Sequence, residues 1–182
     1  MRAVNAIIGV IWVAFWVYWL AASVGVKRGH MRWGQFAGTR LISVLIFVAL
    51  VRARVFKGHM TQHDALLVGL GFVIFLSGLG LAVWARRYLG RNWGTPMSQK
   101  VDPELVTSGP YRRVRHPIYS GIILALLGTA LAVSWFWLIA LGLVCAYFVY
   151  SATMEERYMS GLFPDAYPAY KKSTKMLVPY VF

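Results

Sequence analysis

An all-α, polytopic integral membrane protein is predicted by three features of the 182-residue chain. Hydrophobic residues make up 59% of it, where about 45–50% apolar is ordinary for a soluble domain. They fall into runs of the length that spans a hydrocarbon core, about 20 residues of helix. The 19 Lys and Arg residues, against 6 Asp and Glu, give a net charge of +13 and gather between those runs. In a soluble protein that balance would suggest nucleic acid. Placed between apolar runs, it reads as topology signals and lipid-headgroup contacts, and no nucleic-acid partner is expected. The length allows one domain.

The first run, Val4 to Val24, follows Arg2 and passes through Ala21-Ala22-Ser23, the outline of a secretory signal. Its core from Val4 to Leu20 is longer than the roughly 7–15 residues of a signal h-region. It also carries Trp12, Trp16, Tyr18 and Trp19, so it reads as a retained first span. The second span runs from about Trp33 to Val55, strongest at Leu41 to Val51, and the third from Ala65 to Ala85. Between Arg86 and Arg115 lie Gly90, Gly94, Pro96, Pro103, Gly109 and Pro110, which exclude a single helix. Ile118 to Val133 and Trp135 to Tyr150 are the fourth and fifth spans, broken only at Ser134 and read as a hairpin. Gly161 to Phe182 is an amphipathic, aromatic tail.

Small residues recur at Gly69, Gly71, Ser77, Gly78 and Gly80 in the third span and at Gly121, Gly128 and Ala132 in the fourth. They predict close helix packing. Gly78-Leu79-Gly80 lacks the third glycine and the preceding strand of a dinucleotide fingerprint.

Five spans put the termini on opposite sides. With the 86–115 loop in the cytoplasm, 15 Lys and Arg fall inside and 4 outside (Arg2, Arg52, Arg54 and Lys57). That bias predicts the N-terminus out and the C-terminus in. The expected location is the inner membrane of a prokaryote, with the functional site at its cytoplasmic face.

The segment richest in chemistry is Gly109-Pro110-Tyr111-Arg112-Arg113-Val114-Arg115-His116-Pro117-Ile118-Tyr119-Ser120-Gly121. Proline suits the first helical position, so Pro117 marks the start of the fourth span with His116 at its N-cap. Free amides and the positive end of the helix dipole make an anion site there, with Arg115, His116 and Tyr119 as further donors. His116 lies 18 residues before Ser134, so its counterpart across a hairpin is residue 152. Glu155 and Glu156, an adjacent acid pair, follow within about one turn of 3.6 residues. From Trp135 to Glu155 is 20 residues, about 30 Å of helix and one bilayer core. Donors and acids therefore emerge together at the membrane surface. A ligand with a carboxylate, an ammonium, a ribose diol and a flat ring would use them all, and S-adenosylmethionine is such a ligand.

Other clusters imply less. His59 and His63, with Asp64 adjacent, have helical metal spacing, but a complete site needs about three or four ligands, and no metal is expected. Cys145 lies inside an apolar run and reads as a small hydrophobe. Trp135 and Trp137 read as interfacial anchors.

Leu89-Gly90-Arg91-Asn92-Trp93, then Glu104-Leu105-Val106-Thr107-Ser108-Gly109-Pro110-Tyr111, then Arg115-His116-Pro117-Ile118-Tyr119-Ser120-Gly121 resembles the isoprenylcysteine carboxyl methyltransferase family. So does Glu155-Glu156 followed by Phe163, Tyr167, Tyr170 and Val178-Pro179. The wider superfamily includes phospholipid N-methyltransferases, which share the Arg-His-Pro-x-Tyr-x-Gly and Glu-Glu elements. The resemblance covers roughly the last 95 residues and does not reach spans one and two. It implies a single membrane domain over 1–182, with a variable part at 1–63 and a methyltransferase core at 64–182.

By that resemblance S-adenosylmethionine is the cofactor and S-adenosylhomocysteine the product. His116 and Tyr119 would hold the cofactor's amino-acid end, and Glu155 and Glu156 its ribose hydroxyls or ammonium. Leu105, Val106 and Tyr111 would wall the adenine, with Tyr167 and Tyr170 closing over it. Arg91, Asn92, Trp93 and Arg157 would serve the reaction itself. The acceptor would be a lipophilic or prenylated molecule drawn from the membrane lipids, favoured as the carboxylate of an isoprenylcysteine-like compound. Two departures bear on this. The family's arginine shortly before the acid pair is absent from Tyr150-Ser151-Ala152-Thr153-Met154, and its Phe-Gly is Phe163-Pro164 here. Arg91 or Arg157 would have to supply the missing cation. The alternatives are a lipid N-methyltransferase, a sterol-reductase-like NADPH enzyme and a non-catalytic membrane scaffold.

Overall fold

The computed structural model describes residues 2–22, 29–30, 62, 64–93, 99–100 and 104–182, with backbone alone at 2, 29–30, 91 and 99–100. The predicted second span, His59 and His63 lie outside these residues. Among them are five α-helices: α1 Arg2–Ala21, α2 Ala65–Leu89, α3 Pro117–Ala132, α4 Trp137–Leu162 and α5 Ala166–Ser173. Gly90–Asn92 and Gly109–Arg112 form short 3-10 turns, and β1 (Gly29–His30) pairs antiparallel with β2 (Gln99–Lys100). Helices α1, α2 and α4 are long and apolar enough to cross a membrane, while α3 is apolar but has 16 residues. At 1.5 Å per residue α3 is roughly 24 Å long and α4 roughly 39 Å.

Two helices outrun their sequence-predicted ends. The third span was expected to end at Ala85, yet α2 continues to Leu89, carrying Arg86 and Arg87 in its last turn. It stops at Gly90, whose φ of 52° breaks the helix. Arg86 is buried because its guanidinium donates to the carbonyls of Ala22 and Gly90 and lies 4.4 Å from the centre of the Trp93 ring. The fifth span was expected to end at Tyr150, yet α4 continues to Leu162 and holds Glu155 and Glu156 within its helix. Polarity begins there, but residues 151–160 contain no proline or glycine to stop the helix.

The small-residue pattern is used selectively. A Cβ on Gly128 would stand 2.3 Å from the Phe75 amide, one on Gly78 2.4 Å from the Ala125 amide, and one on Gly71 2.6 Å from the Ala132 amide. These positions, with Gly121, bring the α2 and α3 backbones into contact. Gly69 and Gly80 meet nothing within 4 Å, and Ser77 is exposed, its hydroxyl donating to Val73 O. At 3.6 residues per turn these three fall off the stripe formed by the buried residues Gly71, Phe75, Gly78, Ala82 and Ala85. Helix α1 joins the pair through Trp12, whose indole donates to Thr129 Oγ1 at 3.1 Å and whose ring lies 5.6 Å from that of Phe75. Asp64 caps α2, its carboxylate accepting from the amides of Leu66 and Leu67.

Pro117 is the first residue of α3, and His116 sits at its N-cap without a side-chain capping bond. The residues before it are held by the tail. Arg115 N donates to Lys175 O at 2.8 Å and His116 N to Met176 O at 3.1 Å, and Ser120 Oγ donates to Leu177 O at 2.6 Å. This pairing lays residues 174–177 beside the start of α3 and fixes α5 next to the acid-bearing end of α4.

Candidate functional site

Four elements converge where α3 begins. His116 Nδ1 lies 3.6 Å from Glu155 Oε2, and its Nε2 lies 3.5 Å from Glu156 Oε1. The Tyr119 hydroxyl donates to Glu155 Oε1 at 2.5 Å. The imidazole stacks on the Tyr119 ring at 5.4 Å, and Tyr119 stacks on Phe148 of α4 at 4.3 Å. Pro117 sets the register, since Tyr119 follows in the same first turn as the His116 cap. One turn of α4 separates Phe148 from Ser151 and Ala152, two buried small residues that let the helices approach.

The two acids play different parts. Glu156 is buried and held by two cations: Arg115 Nε at 2.6 Å and Lys171 Nζ at 2.8 Å. The Arg115 guanidinium also donates to Thr174 O at 2.6 Å and Lys171 O at 3.2 Å. Glu156 is thus the centre of a cluster that ties α4, α5 and the loop before α3 together. Glu155 points instead into a cavity of about 400 Å³, a size typical of small-molecule sites.

That cavity is lined by the polar cluster of Arg115, His116, Tyr119 and Glu155, and by Tyr111, Tyr167, Tyr170, Leu105 and Val106. Asn92, Trp93 and Glu104 border it as well, with Asn92 Nδ2 donating to Glu104 Oε2 at 3.1 Å. The tyrosines are fixed. Tyr170 OH donates to Tyr111 O at 2.6 Å, and the Tyr167 and Tyr170 rings meet edge to face at 5.9 Å. Burial raises the pKa of the Tyr111, Tyr167 and Tyr170 phenols well above the usual tyrosine range, so all three line the cavity as neutral rings, with the Tyr111 hydroxyl donating to Ala85 O and the Tyr170 hydroxyl to Tyr111 O.

Of the residues singled out from sequence, Glu156 and Arg157 do not line the cavity. Glu156 is turned to Arg115 and Lys171. Arg157 is exposed, because each residue advances about 100° around a helix while Glu155, Tyr158 and Met159 face inward. The Arg91 side chain lies outside the described residues. The sequence reading missed Trp16 and Trp19 of α1, and Tyr147, Phe148, Tyr158 and Met159 of α4, all of which line the cavity. A signal for the first two was present: Trp12, Trp16 and Trp19 share one helical face by their spacing. Trp19 meets Trp93 edge to face at 5.7 Å, so α1 contributes aromatic surface to the lining. No group of three or more His, Cys, Asp or Glu among the described residues has a metal-binding arrangement.

Residues 66–166 match a family model described as phospholipid methyltransferase. That span runs from the first turn of α2 to the start of α5 and includes His116, Tyr119, Glu155 and Glu156. The chain is similar to protein-S-isoprenylcysteine O-methyltransferase of Schizosaccharomyces pombe, 28% identical over 168 residues, or 90% of this chain and 67% of that protein. It is also similar to the uncharacterized protein YpbQ of Bacillus subtilis, 30% identical over 103 residues, which are 56% of this chain and 60% of that protein.

Proposed function

Taking as premise that this chain belongs to the phospholipid methyltransferase family, we propose that its cavity binds S-adenosylmethionine and directs the methyl group to a lipophilic acceptor, the carboxylate of an isoprenylcysteine-like molecule. The observation that carries this reading is the composition of one cavity. Two carboxylates (Glu104 and Glu155), a guanidinium (Arg115), an imidazole (His116), neutral tyrosines and three tryptophans line the same space. That donor set fits the cofactor group by group. Arg115 and His116 suit its carboxylate, and Glu155 suits its ammonium or ribose hydroxyls. The tyrosine rings suit adenine and a positive sulfonium, which aromatic faces attract.

When bound, the cofactor supplies an electrophilic methyl carbon. The residues of this chain hold, orient and exclude water. Tyr119 fixes the Glu155 carboxylate by a charge-assisted hydrogen bond. Arg115 is aimed by Glu156 and by the carbonyls of Lys171 and Thr174, and so positions the polar cluster. Trp16, Trp19 and Trp93 give an apolar surface suited to a lipid chain entering from between the helices. Holding two reactants in attack geometry is worth up to about 7–11 kcal/mol in well-oriented systems, and a carboxylate acceptor needs no general base. With Arg157 turned to solvent, Arg91 is the residue we assign to orient that carboxylate, from its place beside Asn92 and Trp93.

A second reading, an amine acceptor, draws on two observations: residues 150–154 carry no arginine before the acid pair, and Glu104 and Glu155 both border the cavity. An amine must lose a proton before it attacks, and Glu155 is placed to accept it. The architecture we propose is one membrane domain of five spans, with the fourth and fifth as a hairpin, residues 64–182 as the methyltransferase core and the cavity opening at the cytoplasmic face of a prokaryotic inner membrane.

The test is calorimetry with S-adenosylhomocysteine in detergent, with NADPH as the comparison. Methyl-labelled S-adenosylmethionine is then offered with N-acetyl-farnesylcysteine and, separately, with phosphatidylethanolamine. Label released as methanol by mild base supports the carboxylate acceptor, and base-stable label on the second lipid alone moves the assignment to the amine. Binding of NADPH without S-adenosylhomocysteine would overturn the methyltransferase reading.

A further inference from the structure

A second cavity lies outside the site just described, lined by Arg112, Arg113, Ser173, Lys175, Pro179 and Tyr180. Three of its six lining residues are cations and none is an acid. No ion pair among the described residues neutralises Arg112, Arg113 or Lys175, whereas Arg115 and Lys171 nearby in sequence are both committed to Glu156. A hydroxyl (Ser173) and a phenol (Tyr180) stand with the cations, the donor set that a phosphate monoanion or diester takes.

Beside these cations an apolar tip is held outward. Val178, Tyr180, Val181 and Phe182 are all exposed, Tyr180 by 84%. The tip is not a frayed strand. Leu177 N and Val178 N donate to Phe182 O at 2.7 and 2.5 Å, and Phe182 N returns a bond to Val178 O at 3.0 Å, closing a turn with Tyr180 at a φ of 67°. A closed turn that presents four large side chains to its surroundings suits the headgroup–acyl boundary, where apolar and aromatic groups insert while neighbouring cations meet phosphate. The position agrees, since Arg112 and Arg113 come five and four residues before Pro117, where apolar helix α3 begins.

We propose that this cationic cavity binds the phosphate headgroup of an anionic phospholipid from the surrounding leaflet, with residues 178–182 seated in the interface beside it. The bound lipid braces the pairing of 113–116 with 175–177, because Lys175 N donates to Arg113 O at 3.2 Å and Arg115 N to Lys175 O at 2.8 Å. The headgroup site and the polar cluster of the larger cavity therefore share one short stretch of backbone. The inference stands on the charge, the turn and the membrane helices, and does not require the methyltransferase reading.

The test is native mass spectrometry of the detergent-purified full chain, titrated with phosphatidylglycerol and with phosphatidylcholine of matched acyl chains. The protein should retain one phosphatidylglycerol in preference to phosphatidylcholine. Each cation near a membrane surface contributes about fivefold to anionic-lipid affinity, so Arg112→Gln, Arg113→Gln and Lys175→Gln together should weaken retention on the order of 100-fold. The charge-keeping set Arg112→Lys, Arg113→Lys and Lys175→Arg should restore it. Arg87→Gln with Lys172→Gln, two exposed cations outside the cavity, should leave it largely intact. Equal retention of both lipids, loss in the control pair matching the cavity variant, or unchanged retention in the triple variant would each overturn the proposal. Displacement of phosphatidylglycerol by millimolar inorganic phosphate would also overturn it, making the cavity a site for free phosphate.

Discussion

Replacing Glu156 by Gln separates the role of this residue from that of its neighbour Glu155. The Glu156 and Arg115 side chains are 3% and 7% exposed and meet at 2.6 Å, while Lys171 is 51% exposed. Breaking a buried pair from one side leaves the other charge uncompensated, typically at about 3–5 kcal/mol. An exposed partner contributes less than about 1 kcal/mol. Glu156→Gln should therefore destabilise the protein by about 3–5 kcal/mol, and Lys171→Gln by under about 1 kcal/mol. Arg115→Gln should cost nearly as much as Glu156→Gln, and the double variant should cost well under the sum of the two, a coupling of about 0.5–3 kcal/mol in the usual range. The assay is equilibrium unfolding of the detergent-purified protein followed by tryptophan fluorescence. Equal losses for Glu156→Gln and Lys171→Gln, or additivity between Glu156→Gln and Arg115→Gln, would refute the view that a buried acid ties α4, α5 and the loop before α3 together.

Glu155→Gln and His116→Ala should each weaken S-adenosylhomocysteine binding by about 1–3 kcal/mol, the cost of an unpaired buried group, without the unfolding of Glu156→Gln; calorimetry beside the same unfolding curves checks both. Gly128→Leu places a side chain where even a Cβ meets the Phe75 backbone amide at 2.3 Å, beyond the roughly 1–3 kcal/mol of ordinary overpacking, and should prevent folding, whereas Gly80→Ala in open space should express normally. Carboxylate methylation should hold its rate down to about pH 6, since free carboxylates titrate near 4, while amine methylation should fall with pH as the attacking nitrogen is protonated; initial rates from pH 6 to 9 decide it. A reporter fused after Phe182 should be active only in the cytoplasm if the 15-to-4 bias of basic residues sets the topology.

How far the sequence could be read follows from the range of each physical signal. Pro117 fixes a helix start through local stereochemistry, so its position and that of His116 were legible from two adjacent residues. The meeting of His116 with Glu155 and Glu156 was legible by counting along two apolar runs from Ser134, because helices share one rise per residue and residues equally far from a break lie at similar distances from it. What counting could not supply is rotation. Glu155 and Glu156 differ by about 100° around α4, and that angle alone decides which acid faces the cavity and which meets Arg115. The same step turns Arg157 to solvent and keeps Gly69 and Gly80 off the α2–α3 contact. Helix ends were misjudged where polarity was taken for termination. Arg86 and Glu156 are buried charges that remain helical because a ring and two carbonyls hold one, and two cations hold the other. Those partners lie up to 64 residues away in the chain, beyond any local pattern. The part α1 plays in the cavity was hidden for a further reason: a tryptophan facing lipid and one facing a ligand obey the same hydropathy, and only the helix packed against it tells them apart.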